Sequence, residues 1–427
     1  MIIGIDASRA NKIRKTGTEW YAYSLIRYFA QIDKENQYIL YTDKPLVGGL
    51  LDLTNENFDY NTDIREKTDV LKNGHQEIKS PHNNFQGKVL KWPFDFFWTQ
   101  GRLSLEMLFK KPDVLFIPSH ALPIIHPKKS VVTIHDIGFD KTSNIYKTEN
   151  IGPSNKKIRK ILDGFALLFT RGKYRANTLD YLRWTTDYAL KYARKIITVS
   201  NFSKNEIIDQ YKIDENKIVV VHNGYNENLY AKCNDRFIID NILKKYGIKE
   251  PYFLYIGRIE KKKNIAALIE AFAIMRDNPE NKKIKLVLIG SASYGFDEVN
   301  YMIREFALEH DVIIPGWVNE GDLPAIYSEA LAFIFPSVYE GFGIPLLQAM
   351  ACGTPIIASN VSSIPEVVGN AARLFNPQYV KSIAEALDDV ANNAKLRQEI
   401  VSNGKERVKN FGWKKCANQT LQELINC

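Results

Sequence analysis

The 427-residue sequence predicts an α/β protein made of two Rossmann-like, doubly wound domains facing a central cleft. Three observations carry this. The apolar segments are short, β-branched or aromatic, and mostly continuous rather than alternating, as in parallel strands buried on both faces. Amphipathic stretches of helical period separate them, so strand and helix alternate in both halves of the chain. The dipeptide Asn223-Gly224 ends a strand, and the polar stretch Asn226–Asp235 precedes a second strand–helix series. The expected domains are 1–225 and 226–405, followed by a closing helical segment, 406–427. The cleft between two such domains is where a ligand is expected.

In the first half the strand segments are Ile2–Asp6, Tyr38–Thr42, Val114–Pro118, Val131–His135, Ile196–Ser200 and Ile218–His222. Helical periods cover Glu19–Ile32 and Ser203–Tyr211, and the spacing of Ser203 and Glu206 is that of a capping box at a helix start. In the second half the strands are Tyr252–Gly257, Lys285–Ile289, Val312–Ile314, Ala332–Pro336 and Ile356–Ser359. The helices there are Asn264–Arg276, Glu298–Glu309, Asp322–Ala330 and Pro345–Ala351. Residues from about Asp140 to Trp184 break the rhythm. They show no clear strand and interleave Lys156, Lys157, Arg159, Lys160 and Arg171 with Phe165, Phe169 and Trp184. Upstream, Pro93–Lys111 carries Phe94, Phe96, Phe97, Leu108 and Phe109 before Lys110-Lys111. Both stretches have the make-up of a membrane-surface segment with basic residues toward anionic headgroups. A core helix with a solvated basic face has the same make-up, and the sequence leaves both readings open.

A formal net charge of +8 favours anionic partners of some kind: nucleic acid, anionic lipid or phosphorylated substrates. The content of apolar residues, 45%, is enough for sizeable cores without disulfides, and the four scattered cysteines lack metal-type spacing. The amino terminus reads as a strand rather than a signal segment, and no apolar run approaches the ~18 residues of a membrane span. The expected location is cytoplasmic, peripheral at the inner membrane face, with no nucleic-acid partner. No G-x-G-x-x-G follows the first strand, which argues against a dinucleotide-dependent dehydrogenase.

The segment Pro336–Pro355 is the most informative. A buried strand runs into a Gly-rich turn that opens a helix with Pro345 in its first turn, where a missing N–H costs nothing. Gly341 and Gly343 let the backbone approach a ligand closely. A helix start offers free N–H donors and a positive dipole end, which suits a pyrophosphate. Glu340 lies in the same turn. A carboxylate there would repel phosphate, so it fits sugar hydroxyls better.

This segment resembles the signature of family-4 retaining glycosyltransferases, which have the GT-B fold and include bacterial polysaccharide mannosyl- and rhamnosyltransferases. The resemblance implies that Glu340 contacts hydroxyls of the donor sugar and that Gly341, Phe342, Gly343 and Ile344 line the donor site. A second glutamate usually holds the ribose; here the position is Gln348, which keeps hydrogen-bonding capacity but loses a charge-assisted bond worth about 1–2 kcal/mol. Tyr255-Ile-Gly257-Arg258 through Lys263-Asn264 resembles the family's Gly-Arg…Lys-Asn stretch. It implies that Gly257 lies against the donor and that Arg258 and Lys263 take the charge of the leaving diphosphate. Val131–Asp136 resembles a strand that ends in a histidine, making His135 the group that hydrogen-bonds the donor sugar. Gly17 and Thr18 resemble the Gly-containing loop that opens the first helix near donor phosphate and acceptor. Phe411-Gly412-Trp413 resembles the start of a terminal helix that crosses back to the first domain.

The activity so implied moves a hexose from GDP-mannose or a UDP-hexose to a hydroxyl of a glycan or lipid-linked glycan, with retention, no metal ion and no further cofactor. Two other readings stand beside it: a nucleotide-sugar epimerase or phosphorylase of the same architecture, and a catalytically degenerate GT-B binding module, which Gln348 favours.

Overall fold

Ile2–Asp6, the first apolar run, forms β1 in the computed structural model of the protein, which describes residues 1–54, 70–71, 73–94, 96–141, 148–152, 159–160, 163–164, 166–167, 170 and 172–427. Around it grows the sheet of the first unit, Met1–Asn223 together with Trp413–Cys427. Its further strands are β2 (Gln37–Thr42), β3 (His75–Glu77), β4 (Phe85–Val89), β5 (Val114–Ile117), β6 (Ser130–Thr133), β7 (Lys195–Thr198) and β8 (Ile218–Val220). The order across the sheet is β3-β4-β2-β1-β5-β6-β7-β8. All pairs are parallel except β3 with β4. The strands β5 and β6 are buried at every residue, which is why their sequences read as continuous apolar or small runs.

The second unit, Gly224–Gly412, is built on β9 (Tyr252–Ile256), β10 (Lys285–Ile289), β11 (Val312–Gly316), β12 (Ala332–Phe335), β13 (Ile356–Ser359) and β14 (Arg373–Phe375). Their order is β11-β10-β9-β12-β13-β14, and every pair is parallel. Tyr252, Phe253, Leu254 and Phe333 are completely buried in this sheet, each contributing on the order of 1.5–3 kcal/mol. In both sheets the order reverses beside the first strand of the unit: between β1 and β5, and between β9 and β12. Ligands of open α/β sheets bind at such switch points, outside the carboxyl ends of the strands.

Several elements differ from the sequence expectation. The helix expected from Ser203 starts at Asn201, because Ser200 is the cap and its hydroxyl accepts from the Ser203 N–H at 3.0 Å; Glu206 pairs instead with Lys141 at 3.5 Å. The helix expected to reach Glu309 covers Phe296–Glu305 and ends where Ala307 turns left-handed, φ 50°. The strand expected to include His135 stops at Thr133. Helices Thr178–Tyr192, Arg236–Lys245, Val380–Asn392 and Ala394–Val408 were not read from the sequence. The terminal helix Trp413–Ile425 packs on helix Gly17–Ile32 of the first unit. Of the basic, aromatic stretch 140–184, Lys156, Lys157, Phe165, Phe169 and Arg171 lie outside the described residues. No helix among the described residues is long and apolar enough to cross a membrane.

Candidate active site

Two loops leave neighbouring parallel strands at the switch point of the second sheet: Gly257–Asn264 after β9, and Ser337–Gly343 after β12. An ion pair between the Lys263 ammonium and Oε1 of Glu340 ties them together, with both side chains largely buried. The ammonium also lies 5.6 Å from the centre of the Phe335 ring. The backbone adds a bond from the Val338 N–H to the Lys262 carbonyl, 3.1 Å. Glu340 is fixed on its main chain too, donating its N–H to Ser362 Oγ at 3.1 Å and accepting from Ser363 Oγ at 2.9 Å. With one carboxylate oxygen committed to Lys263, Oε2 is left to accept from a ligand.

Gly343 follows in a left-handed conformation, φ 104°, at the start of helix Ile344–Ala351. A Cβ there would sit 2.9 Å from Leu346 Cδ1 and 3.2 Å from Phe335 Cε1, so only glycine fits without displacing that packing. No side chain caps this helix and Pro345 occupies its first turn, which keeps a positive dipole end available for an anion. Phe342 is buried edge-to-face against Phe411, ring centres 5.8 Å apart. Gln348, one turn along, accepts from the Tyr327 hydroxyl at 3.2 Å.

The loop after β9 is shaped from below. The buried Tyr255 hydroxyl donates to the Arg258 carbonyl at 2.9 Å. A Cβ on Gly257 would lie 2.7 Å from that hydroxyl. Gly290, after β10, packs so tightly on this loop that a Cβ would fall 1.9 Å from the Gly257 carbonyl oxygen. Arg258 itself is exposed, with its nearest carboxylate, Glu260, at 3.7 Å. Glu260 escaped the sequence reading; its Oε1 is buried without a hydrogen bond, between Arg258 and Lys262.

The first unit presents a different environment. His135 follows β6 at the carboxyl edge and is 7% exposed. Its Nε2 meets the Pro118 carbonyl at 3.1 Å, beyond the end of β5, so Nε2 carries the proton and Nδ1 is the acceptor. Burial, with a smaller repulsion from His120, pushes the imidazole down to about 4. Tyr21 packs edge-on against it at 4.7 Å and anchors its own hydroxyl on Thr133 at 3.1 Å. Gly17 opens helix Gly17–Ile32 with nothing within 4 Å of a would-be Cβ. Next to Thr18, Glu19 reaches back to the Thr16 N–H at 3.1 Å and to Arg9 at 3.5 Å. Asp6, also missed, is buried at the end of β1 with Oδ1 held by the Ser8 N–H and hydroxyl, 3.0 and 2.6 Å. Among the described residues no three His, Cys, Asp or Glu side chains are grouped to hold a metal ion.

The structure thus joins Lys263, Glu340 and Gly341–Ile344 in one site, with Arg258 and Gly257 on the same loop. It places Gly17, Thr18 and His135 in the other unit. The family model for "Glycosyl transferases group 1" matches residues 238–407, and that for "Glycosyltransferase Family 4" matches residues 16–229. The chain belongs to the family-4 glycosyltransferases. The glycosyltransferase is 31% identical over 330 residues to O-antigen chain mannosyltransferase B of Escherichia coli, a match that covers 75% of this chain and 82% of that one. It is 31% identical to O-antigen chain mannosyltransferase RfbU of Salmonella typhimurium, with 71% of each chain covered. Among solved structures, sucrose-phosphate synthase from Thermosynechococcus elongatus superposes with a TM-score of 0.70 at 19% identity, covering 99% of this chain and 98% of that one. Anabaena HepE in complex with UDP and glucose does so with a TM-score of 0.67 at 18% identity, covering 100% and 99%. These likenesses show that the glycosyltransferase has the GT-B fold.

Proposed function

We propose that the protein is a retaining hexosyltransferase that takes a hexose from a nucleotide sugar, GDP-mannose ahead of a UDP-hexose, and gives it to a hydroxyl of a glycan or lipid-linked glycan without a metal ion. The observation that carries the reading is the Lys263–Glu340 pair at the switch point beside the uncapped start of helix Ile344–Ala351. It couples a cation for phosphate to a carboxylate for sugar hydroxyls. Lys263, Arg258 and the helix start take up the negative charge of the departing nucleoside diphosphate. Glu340 Oε2 accepts from hydroxyls of the transferred sugar, and His135, neutral, accepts from another through Nδ1. The acceptor hydroxyl attacks the anomeric carbon from the leaving-group face. The bond from that carbon to the phosphate oxygen breaks as the new glycosidic bond forms, and the hydroxyl proton passes to the departing phosphate. No separate base is needed.

Mannose as the sugar is supported by the names of the Escherichia coli and Salmonella relatives, and a surface glycan as the acceptor by their O-antigen designation. UDP-hexose ranks second because the Anabaena structure holds UDP and glucose. A lipid-linked acceptor would be met by a peripheral protein at the cytoplasmic membrane face. The test is calorimetric titration with GDP and then UDP in EDTA. Binding of one supports a metal-independent donor site and names its nucleotide. Binding of neither overturns it in favour of a degenerate module. Turnover of the nucleotide sugar with no acceptor present would point to an epimerase.

A further inference from the structure

The basic and apolar groups that the site does not use gather at one edge of the first unit. Strands β5, β6 and β7 lie side by side and parallel, and each begins just after basic residues: Lys110 and Lys111 before β5, Lys128 and Lys129 before β6, Lys191 and Arg194 before β7. Neighbouring strands are about 4.8 Å apart, so three separate pairs in the sequence become one cationic edge. Each of these side chains is exposed, and none has an ion-pair partner among the described residues. Burial, with a smaller repulsion from Arg194, holds the nearby Lys217 ammonium below its usual range.

Apolar surface adjoins this edge. Leu105, Leu108 and Phe109 share one face of helix Ser104–Phe109 and are exposed, Phe109 at 79%. Ile124 and Tyr192 are exposed as well. The pieces are tied together: the Ile125 N–H reaches Ser104 Oγ at 3.4 Å, the Tyr188 hydroxyl donates to the Ile124 carbonyl at 2.8 Å, and the Tyr188 and Tyr192 rings are 4.6 Å apart. The Trp184 ring lies tilted against Tyr188, centres 5.9 Å apart, extending an amphipathic aromatic stripe along helix Thr178–Tyr192.

We propose that this edge docks the protein on a bilayer rich in anionic lipid. Phe109, Leu108, Leu105 and Ile124 enter the acyl boundary, the ammonium groups lie among headgroup phosphates, and the Tyr and Trp rings sit at the interface. A soluble polyanion would satisfy the lysines and leave the apolar face in water; a bilayer satisfies both. The inference rests on the proposed use of a lipid-linked acceptor and specifies the surface that meets the membrane.

The experiment is co-sedimentation of the full chain with phosphatidylglycerol-containing vesicles and with pure phosphatidylcholine vesicles, at low and high salt. Wild type should bind the anionic vesicles, and binding should fall with salt. Charge reversal of Lys110, Lys111, Lys128 and Lys129 to Glu should weaken binding at least ~100-fold, at about fivefold or more per charge. Phe109→Ser alone should weaken it several-fold. Unchanged nucleotide titration by both variants would show that they are folded and that the donor site is intact. Wild-type levels of vesicle binding by the charge-reversal variant would overturn this face while leaving peripheral association standing. Absence of binding by wild type, or equal binding to neutral vesicles, would overturn the proposal outright. A working nucleotide site alongside either result would leave the transferase reading untouched.

Discussion

The carboxyl edge of the second sheet and that of the first present opposite chemistry. In the second unit the central groups are charged and paired: Lys263 with Glu340, Arg258 loosely with Glu260. In the first, His135 is buried among aromatic and carbonyl groups and kept neutral by desolvation. The difference follows from what each would handle. A departing diphosphate carries charge, and compensating it needs cations that are already in place. A sugar hydroxyl is neutral, and an imidazole that stays neutral can accept from it without paying to lose a proton.

Changes at four residues would break or sharpen this contrast. Lys263→Ala should have the largest effect, lowering kcat/KM for the nucleotide sugar by ~10²–10³-fold. It should also lower Tm, since Glu340 would be left buried and uncompensated. A loss of less than tenfold in steady-state assays would remove Lys263 from the donor site. His135→Ala should cost less, ~10–100-fold, because one neutral hydrogen bond and its positioning are lost. The histidine also predicts a pH dependence of stability. Its folded value of about 4 lies below the ordinary 6.5, so the unfolded chain takes up the proton first. The resulting contribution, about 3 kcal/mol, is fully present above pH ~6.5 and is lost as pH falls toward 4. In urea titrations at pH 7 and pH 5, His135→Gln should show a smaller difference than wild type; an equal difference would place the acid sensitivity elsewhere.

Gln348→Glu tests the departure from the family pattern. A carboxylate could still accept from Tyr327 and would gain a charge-assisted bond to a ribose hydroxyl, tightening nucleotide binding by about 5–20-fold. Weaker binding in calorimetry would mean that the amide's donor group is what the site uses. The smallest effect is expected from Tyr255→Phe. It removes the hydroxyl that holds the Arg258 carbonyl, at a cost of about 1 kcal/mol. If the loop depends on that bond, KM should rise a few-fold with kcat little changed.

The strands that carry the site were legible because burial on both faces leaves a continuous apolar run, and β9, β10, β12 and β13 follow their runs closely. Helices with mixed faces were harder. Thr178–Tyr192 and Arg236–Lys245 have little net apolar character, and their starts are marked by Asn177 and Asp235, whose side chains accept from the first-turn amides. Those caps were present in the sequence and could have been found. Strands β3 and β14, each at the edge of its sheet, are three residues each, too short a run to show a period. For the candidate site, the family resemblance singled out Lys263 and the Gly-rich turn singled out Glu340, but neither says that they pair. Glu260, Asp6 and Tyr255 were missed because their roles arise from burial and from backbone groups that only the folded sheet brings near. The cationic edge was missed for the same reason: Lys110-Lys111 stood out as a dipeptide, while its union with Lys128-Lys129 and Arg194 is a product of strand order.

Gly290 couples two turns mechanically. With the Gly257 carbonyl where a side chain at 290 would begin, the turns after β9 and β10 can move only together. A shift in either is transmitted to the other, whereas a helix side chain such as Gln348 can be exchanged without moving any backbone.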